Sequence, residues 1–197
     1  MSEISLINIS DVSALKINTN EVKRYLKIHK LDTESDLLIE ECKNEIYKVA
    51  TPKAVYSKEC ILVEGEEVKF QFDSVSSKNL SKNLCDCKFA YIFCASLGIE
   101  VDRLIQKYAK IEPSKAVVLD SVATTLIEEF CDYVNGVLIK DKCACPRFSA
   151  GYGDYSIKHQ KNLLDTLDAT RKIGVVLSES FMMTPSKTVT AVIGIKE

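Results

Sequence analysis

The chain has 197 residues, 46% of them apolar, and a net charge of -2, which is enough to bury a substantial core in one domain, residues 1–197. Lys and Arg are interspersed with Asp and Glu, so no basic face, arm or run exists to bind nucleic acid. The polar and acidic start, Met1 to Asp11, is unlike an export signal, and no uncharged apolar stretch approaches the roughly 20 residues of a membrane span, residues 89–99 being the best candidate. A cytoplasmic protein with neither nucleic acid nor membrane as a partner is expected.

In chain order, Asn18 to Asn20 offer caps to a helix over residues 21–29. A second helix is predicted over 34–50: Thr33 and Asp36 have the spacing of a capping box, and Leu38, Cys42, Ile46 and Val49 form an apolar stripe ahead of Pro52. These make an N-terminal helical segment, 1–53. The sheet and site-bearing part, 54–197, opens with a predicted hairpin of 54–63 and 67–72, broken at Glu64-Gly65, in which Val68, Phe70 and Phe72 alternate with polar neighbours. Residues 74–83, rich in Ser, Asn and Lys, read as a loop. Residues 88–96 are apolar on both faces and read as a central strand, after which Gly98 introduces a helix over 101–109.

Pro113 suits the first position of a long helix over 114–138, where Val117, Asp120, Ala123, Thr124, Ile127, Cys131 and Val134 lie close to one stripe. An acid on such a stripe must be hydrogen-bonded, paired or part of a site, because burying it bare is costly. A loop over 140–154, a helix over 157–169 and strands over 174–177 and 188–195 complete the chain. This irregular alternation predicts an α+β fold, a mainly antiparallel twisted sheet with flanking helices.

Eight cysteines stand at 42, 60, 85, 87, 94, 131, 143 and 145. In a chain of this size without an export signal they are expected as free thiols, Cys94 as a buried one. The two Cys-x-Cys pairs can in principle meet as four thiolate ligands for zinc or an iron-sulfur cluster, but their spacing is not that of common zinc modules, and no metal site is assigned.

The segment Arg147-Phe-Ser-Ala-Gly-Tyr-Gly-Asp-Tyr155 combines a fixed cation, small residues and aromatics in a loop between two helices. Arg147 can hold a carboxylate or phosphate through two parallel hydrogen bonds. Ala150, Gly151 and Gly153 let main chain approach a ligand, and Tyr152 and Tyr155 can cover a flat ring system. A tight turn with an Arg salt bridge is the alternative reading. Gly151-Tyr-Gly153 lacks the rest of a dinucleotide fingerprint, and no Gly-Lys-Ser/Thr phosphate loop occurs. The only histidines, His29 and His159, stand on amphipathic helices as surface or boundary residues, and no catalytic residue is assigned.

The pattern R-x-x-x-G-Y at Arg147 to Tyr152 resembles the signature of the activation domain of cobalamin-dependent methionine synthase. The run Leu177-Ser-Glu-Ser-Phe-Met-Met-Thr-Pro185, with Ser186, Val189 and Thr190, is similar to that family's downstream segment, and the helix bearing Asp120 to its long helix. The resemblance covers residues 113–195. It implies a stand-alone activation domain that takes part in methionine biosynthesis as part of a methyltransferase system. S-adenosylmethionine is the implied cofactor, and cobalamin is carried by a partner corrinoid protein, since no D-x-H-x-x-G corrinoid motif occurs here. A flavodoxin- or ferredoxin-type reductant is a further implied partner.

Residue by residue, the resemblance implies that Arg147 holds the methionyl carboxylate, Ala150 and Gly151 supply main-chain contacts, and Tyr152 shapes the pocket. Asp120 would lie on the surface that meets the corrinoid domain. Glu179 and Ser180 would set a strand-turn geometry, with Phe181, Met182 and Met183 packed in the core or beneath the site. The family's second acid, one helical turn after its aspartate, is replaced by Thr124, with Glu128 a turn further on. The alternative function is a docking or maturation factor for another corrinoid methyltransferase, without catalysis.

Overall fold

The computed structural model describes residues 3–28, 33–140 and 142–196. Strand β1 (Ser5–Asn8) precedes helix α1 (Thr19–Leu26), which is capped as its sequence predicts: the Asn18 side chain accepts the Asn20 N–H at 2.9 Å. The expected helix end, His29, lies outside the described residues. Helix α2 (Thr33–Val49) buries Ile39, Cys42 and Ile46, while Asp36, read as half of a capping box, pairs with Lys23 of α1 at 2.5 Å.

The expected hairpin divides. Strand β2 (Lys53–Cys60) pairs antiparallel with β1, and only β3 (Leu62–Glu64) turns back through Gly65 to β4 (Glu67–Lys69), with β5 (Ser74–Ser76) completing a small antiparallel sheet. The polar stretch read as a loop therefore holds β5 and a helix, α3 (Lys78–Leu84). The Ser77 hydroxyl caps it by accepting the Leu80 N–H at 3.0 Å, and Leu80 and Leu84 are buried.

Strand β6 (Cys87–Ser96) is the central strand that its apolar run predicts. Helices α4 (Ile99–Ile111) and α5 (Pro113–Ile139) follow, then β7 (Cys143–Ala144) within the expected loop. The helix expected over 157–169 is two, α6 (Gln160–Thr166) and α7 (Ala169–Ile173), because Asp168 takes a left-handed conformation with φ +50°. The hairpin of β8 (Val176–Leu177) and β9 (Met183–Thr184) and the long β10 (Thr188–Lys196) end the fold. The main sheet has the order β1-β2-β6-β10-β7 with every neighbouring pair antiparallel, so the chain is α+β as predicted.

Alternation along β6 and β10 divides the core. Phe93, Ala95, Ala191 and Ile193 meet α1, α2 and α5 on one face, while Ala90, Ile92, Cys94 and Val192 meet α3, α6 and the small sheet on the other. Helix α5 is rich in β-branched residues, each costing up to ~0.7 kcal/mol of helix propensity. Burial of Val118, Leu119, Val122, Leu126, Ile127 and Phe130 at about 1.5–3 kcal/mol each outweighs that, so packing sustains this helix. The buried face is rotated from the stripe read in the sequence: Val117 and Asp120 are exposed, and Asp120 escapes the cost of burial by standing in water beside Lys187. Among the described residues, no helix is long and apolar enough to cross a membrane.

Candidate functional site

The loop bearing Arg147 is tied to β10 on both sides of that residue. Cys145 N–H donates to the Gly194 carbonyl at 2.8 Å, and Phe148 and Val192 exchange backbone hydrogen bonds of 2.9 and 2.8 Å. Asn83, at the end of α3, donates its side-chain N–H to the Pro146 carbonyl at 3.2 Å. With its backbone so anchored, half-buried Arg147 spans to α5, where Nη2 lies 2.5 Å from Glu128 and Nη1 2.5 Å from Asp132. Burial alone would lower the Arg147 pKa, but Cys131, Asp132 and Glu128 outweigh it and hold the guanidinium charged.

Beyond Phe148 the chain makes a compact turn. Gly151, at φ +96°, donates its N–H to the Tyr155 carbonyl at 2.7 Å, so it shapes the turn and stands just outside the cavity lining. Asp154 reaches across to the start of α3, accepting from the Ser77 hydroxyl at 2.5 Å and the Lys78 and Asn79 N–H groups at 2.8 and 3.2 Å. The Ser77 hydrogen bond is the main reason that the Asp154 carboxyl is held below its usual pKa. A lowered carboxyl pKa adds stability above its unfolded value and loses it as pH falls through the folded one. Acid titration is therefore expected to loosen this contact, and Asp154→Asn to flatten the acid limb of a thermal stability profile.

Gly153 packs against the same helix. A Cβ there would stand 2.4 Å from Asn79 Nδ2, and φ is already +56°. Gly153→Ala is expected to cost about 1–3 kcal/mol, read as a lower Tm.

Arg147, Phe148, Ser149, Ala150 and Tyr152 form one wall of a cavity of about 660 Å³. Its opposite wall comes from the downstream run: Phe181, Met182 and Met183, then Ser186, Thr188, Val189 and Thr190. Ser178 holds the turn between β8 and β9, its hydroxyl accepting the Met182 N–H at 3.0 Å and lying 2.9 Å from the Ser180 hydroxyl. Ser178 with Ser180, rather than Glu179, makes those contacts. Met182 is exposed at the rim, so core packing does not describe it.

Asp102 of α4 is buried and accepts both the N–H and the hydroxyl of Ser186, each at 2.7 Å, which positions the second wall.

The structure thus gathers Arg147, Ala150 and Tyr152 at one cavity, with Tyr152 exposed at its mouth. Tyr155 is different: 2% exposed and packed on Phe148, it is a core residue and covers no ligand surface. Asp120 lies outside this cavity, in a separate groove with Val117 and Ile105, where its carboxylate pairs with Lys187 at 2.8 Å. His159, half-buried and 2.7 Å from Asp73, is a boundary residue as read. Gln160, Asp102 and Ser178 were not singled out by sequence, and Glu128 was named only as the acid a turn beyond Thr124. The signal for Glu128 is its position two turns after Asp120, on the helix face shared with Thr124.

Residues 132–197 match the family model of the vitamin B12 dependent methionine synthase activation domain. No curated protein matches the chain in sequence. In fold, the chain is similar to the crystal structure of the MetH reactivation domain bound to AdoHcy, with a TM-score of 0.75 at 14% identity over 98% of this chain and 78% of that one. The family match starts after Asp120 and includes the whole Arg147 loop and the segment to β10. In the sequence of its last third and in fold over nearly all its length, the chain is similar to the activation domain of cobalamin-dependent methionine synthase, as its motifs imply.

Proposed function

We propose that the chain binds S-adenosylmethionine in this cavity and serves the reductive remethylation of a corrinoid held by a partner protein, as the reactivation subunit of a split methionine synthase. The observation that supports this most is one charged Arg147 with Glu128 beside it, set in a cavity otherwise walled largely by Phe148, Ala150, Ile157, Phe181 and Met183. Such a cavity is of ligand size and suits an amino-acid head on a larger, flatter body. Arg147 would take the carboxylate through two N–H groups, Glu128 the ammonium, and Ala150 and Tyr152 the remainder, with Gly151 keeping the turn in shape.

The methyl sulfonium, when bound, supplies an already activated methyl group. What the protein adds is position and shelter from water. Exposed Asp120 is read as part of the surface facing the corrinoid-bearing partner, and the electron comes from a flavodoxin- or ferredoxin-type reductant. A second reading, a docking factor without a cofactor, draws on the engagement of Arg147 by two acids, which is also how a structural salt bridge looks.

Calorimetric titration with S-adenosylmethionine separates these readings. It is run on the chain alone and then with a cobalamin-loaded methionine synthase lacking its own activation domain. Saturable binding in either condition supports the reactivation role; none in both leaves the docking factor.

A further inference from the structure

We propose that Cys85, Cys87, Cys143 and Cys145 form a binding site for one thiophilic divalent cation, zinc in the first instance, at the end of the main sheet beside the Arg147 loop. The two Cys-x-Cys pairs, 58 residues apart, are brought together by the strand order β6-β10-β7. Lys196 of β10 is in register with Cys87 on one side and Cys143 on the other. The buried sulfurs of Cys87 and Cys145 lie 3.5 Å apart. They meet over Gly194, where a Cβ would stand 2.6 Å from the Cys87 sulfur and 3.4 Å from that of Cys145, so this glycine leaves the space that the thiols occupy.

The separation discriminates between two chemistries. In a tetrahedral thiolate site with zinc–sulfur bonds of about 2.3 Å, neighbouring sulfurs are about 3.8 Å apart, so the observed pair needs only a slight opening. A disulfide needs about 2.05 Å, and its Cα atoms within about 7 Å. Cys87 and Cys145 stand on opposite sides of β10, so closing their 3.5 Å separation to a disulfide would draw both flanking segments inward, whereas a bridging ion needs almost no movement.

Cys85, at the end of α3, and Cys143, on β7, are exposed, each two residues before one member of the buried pair. Lys196, in register with Cys87 and Cys143, carries its ammonium 3.7 Å from Asp86, the residue between Cys85 and Cys87. Among the described residues, no three ligand side chains already converge on one point. Exposed Cys85 and Cys143 must therefore rotate inward, closing the shell over the buried pair. The ligating form of cysteine is the thiolate, so an ion that binds here displaces the thiol protons. Binding converts four thiols and one cation into a tetrathiolate with net charge -2 and releases up to four protons, with Lys196 offsetting part of the charge. Because Cys145 is two residues before Arg147, the ion would also fix the entry to the loop.

The test is metal analysis of the full chain purified anaerobically, followed by titration with Co(II) as a spectroscopic probe. One ion per chain is expected, with thiolate-to-metal charge-transfer absorption and the visible bands of tetrahedral Co(II). The double variant Cys85→Ser/Cys143→Ser alters only exposed thiols; with folding checked by circular dichroism, it is expected to bind roughly a hundredfold more weakly or worse. No stoichiometric binding, or undiminished affinity in that variant, overturns the proposal. So does a Cys87–Cys145 disulfide found by peptide mapping of the native protein.

Discussion

Arg147→Ala is expected to weaken S-adenosylmethionine binding by about 30-fold at the least, and to the point of no detectable heat if the carboxylate has no other partner. Truncating one member of a desolvated, hydrogen-bonded charge pair costs about 2–5 kcal/mol, and each 1.4 kcal/mol is about tenfold in affinity. Folding should survive, since the partners Glu128 and Asp132 are 46% and 68% exposed and such pairs contribute only about 0–1 kcal/mol each. Arg147→Lys should not restore affinity, because an ammonium lacks the planar pair of donors that a carboxylate meets. Calorimetry on both variants, with thermal melts alongside, checks the point. Unchanged affinity in the alanine variant would take the loop out of the binding site.

Asp102→Ala is expected to act on stability and on the site together. Asp102 is 8% exposed, and its removal takes two carboxylate hydrogen bonds from Ser186, itself exposed to water, for a cost of about 1.5–3 kcal/mol. In a domain of this size that lowers Tm by roughly 5–10 °C. Ser186 opens the second cavity wall, so ligand affinity should fall too, although Asp102 itself does not line the cavity. Asp102→Asn keeps one acceptor and should sit between wild type and alanine in both readouts. A variant with lower Tm but unchanged affinity would show that the wall keeps its shape without this contact.

Much of the architecture was legible because its signals are local. Asn18 caps α1, the stripe through Cys42 and Ile46 forms α2, Pro113 opens α5, and the apolar run that is β6 lies where both sheet faces are covered. Helix α3 was not legible, since its polar sequence resembles a loop and its start is held by Asp154, 77 residues from the Ser77 cap. The split between α6 and α7 escaped for a similar reason: apolar spacing continues through a single residue in a left-handed conformation.

The candidate site divides the same way. The sequence by itself determined the cation, the small residues and the turn of the Arg147 loop, because residue type and close spacing suffice to specify a loop that can approach a ligand. It also determined the α+β class, since strand and helix periods differ. Only the tertiary structure decided which aromatic faces the cavity, Tyr152 and not Tyr155, and which way α5 is rotated, leaving Asp120 in water. It also joined Glu128 to Arg147, Asp102 to Ser186, and one Cys-x-Cys pair to the other. These depend on packing between segments distant in the chain, where the rotation of a helix or the order of strands selects the neighbours, and no local pattern of residues encodes that choice.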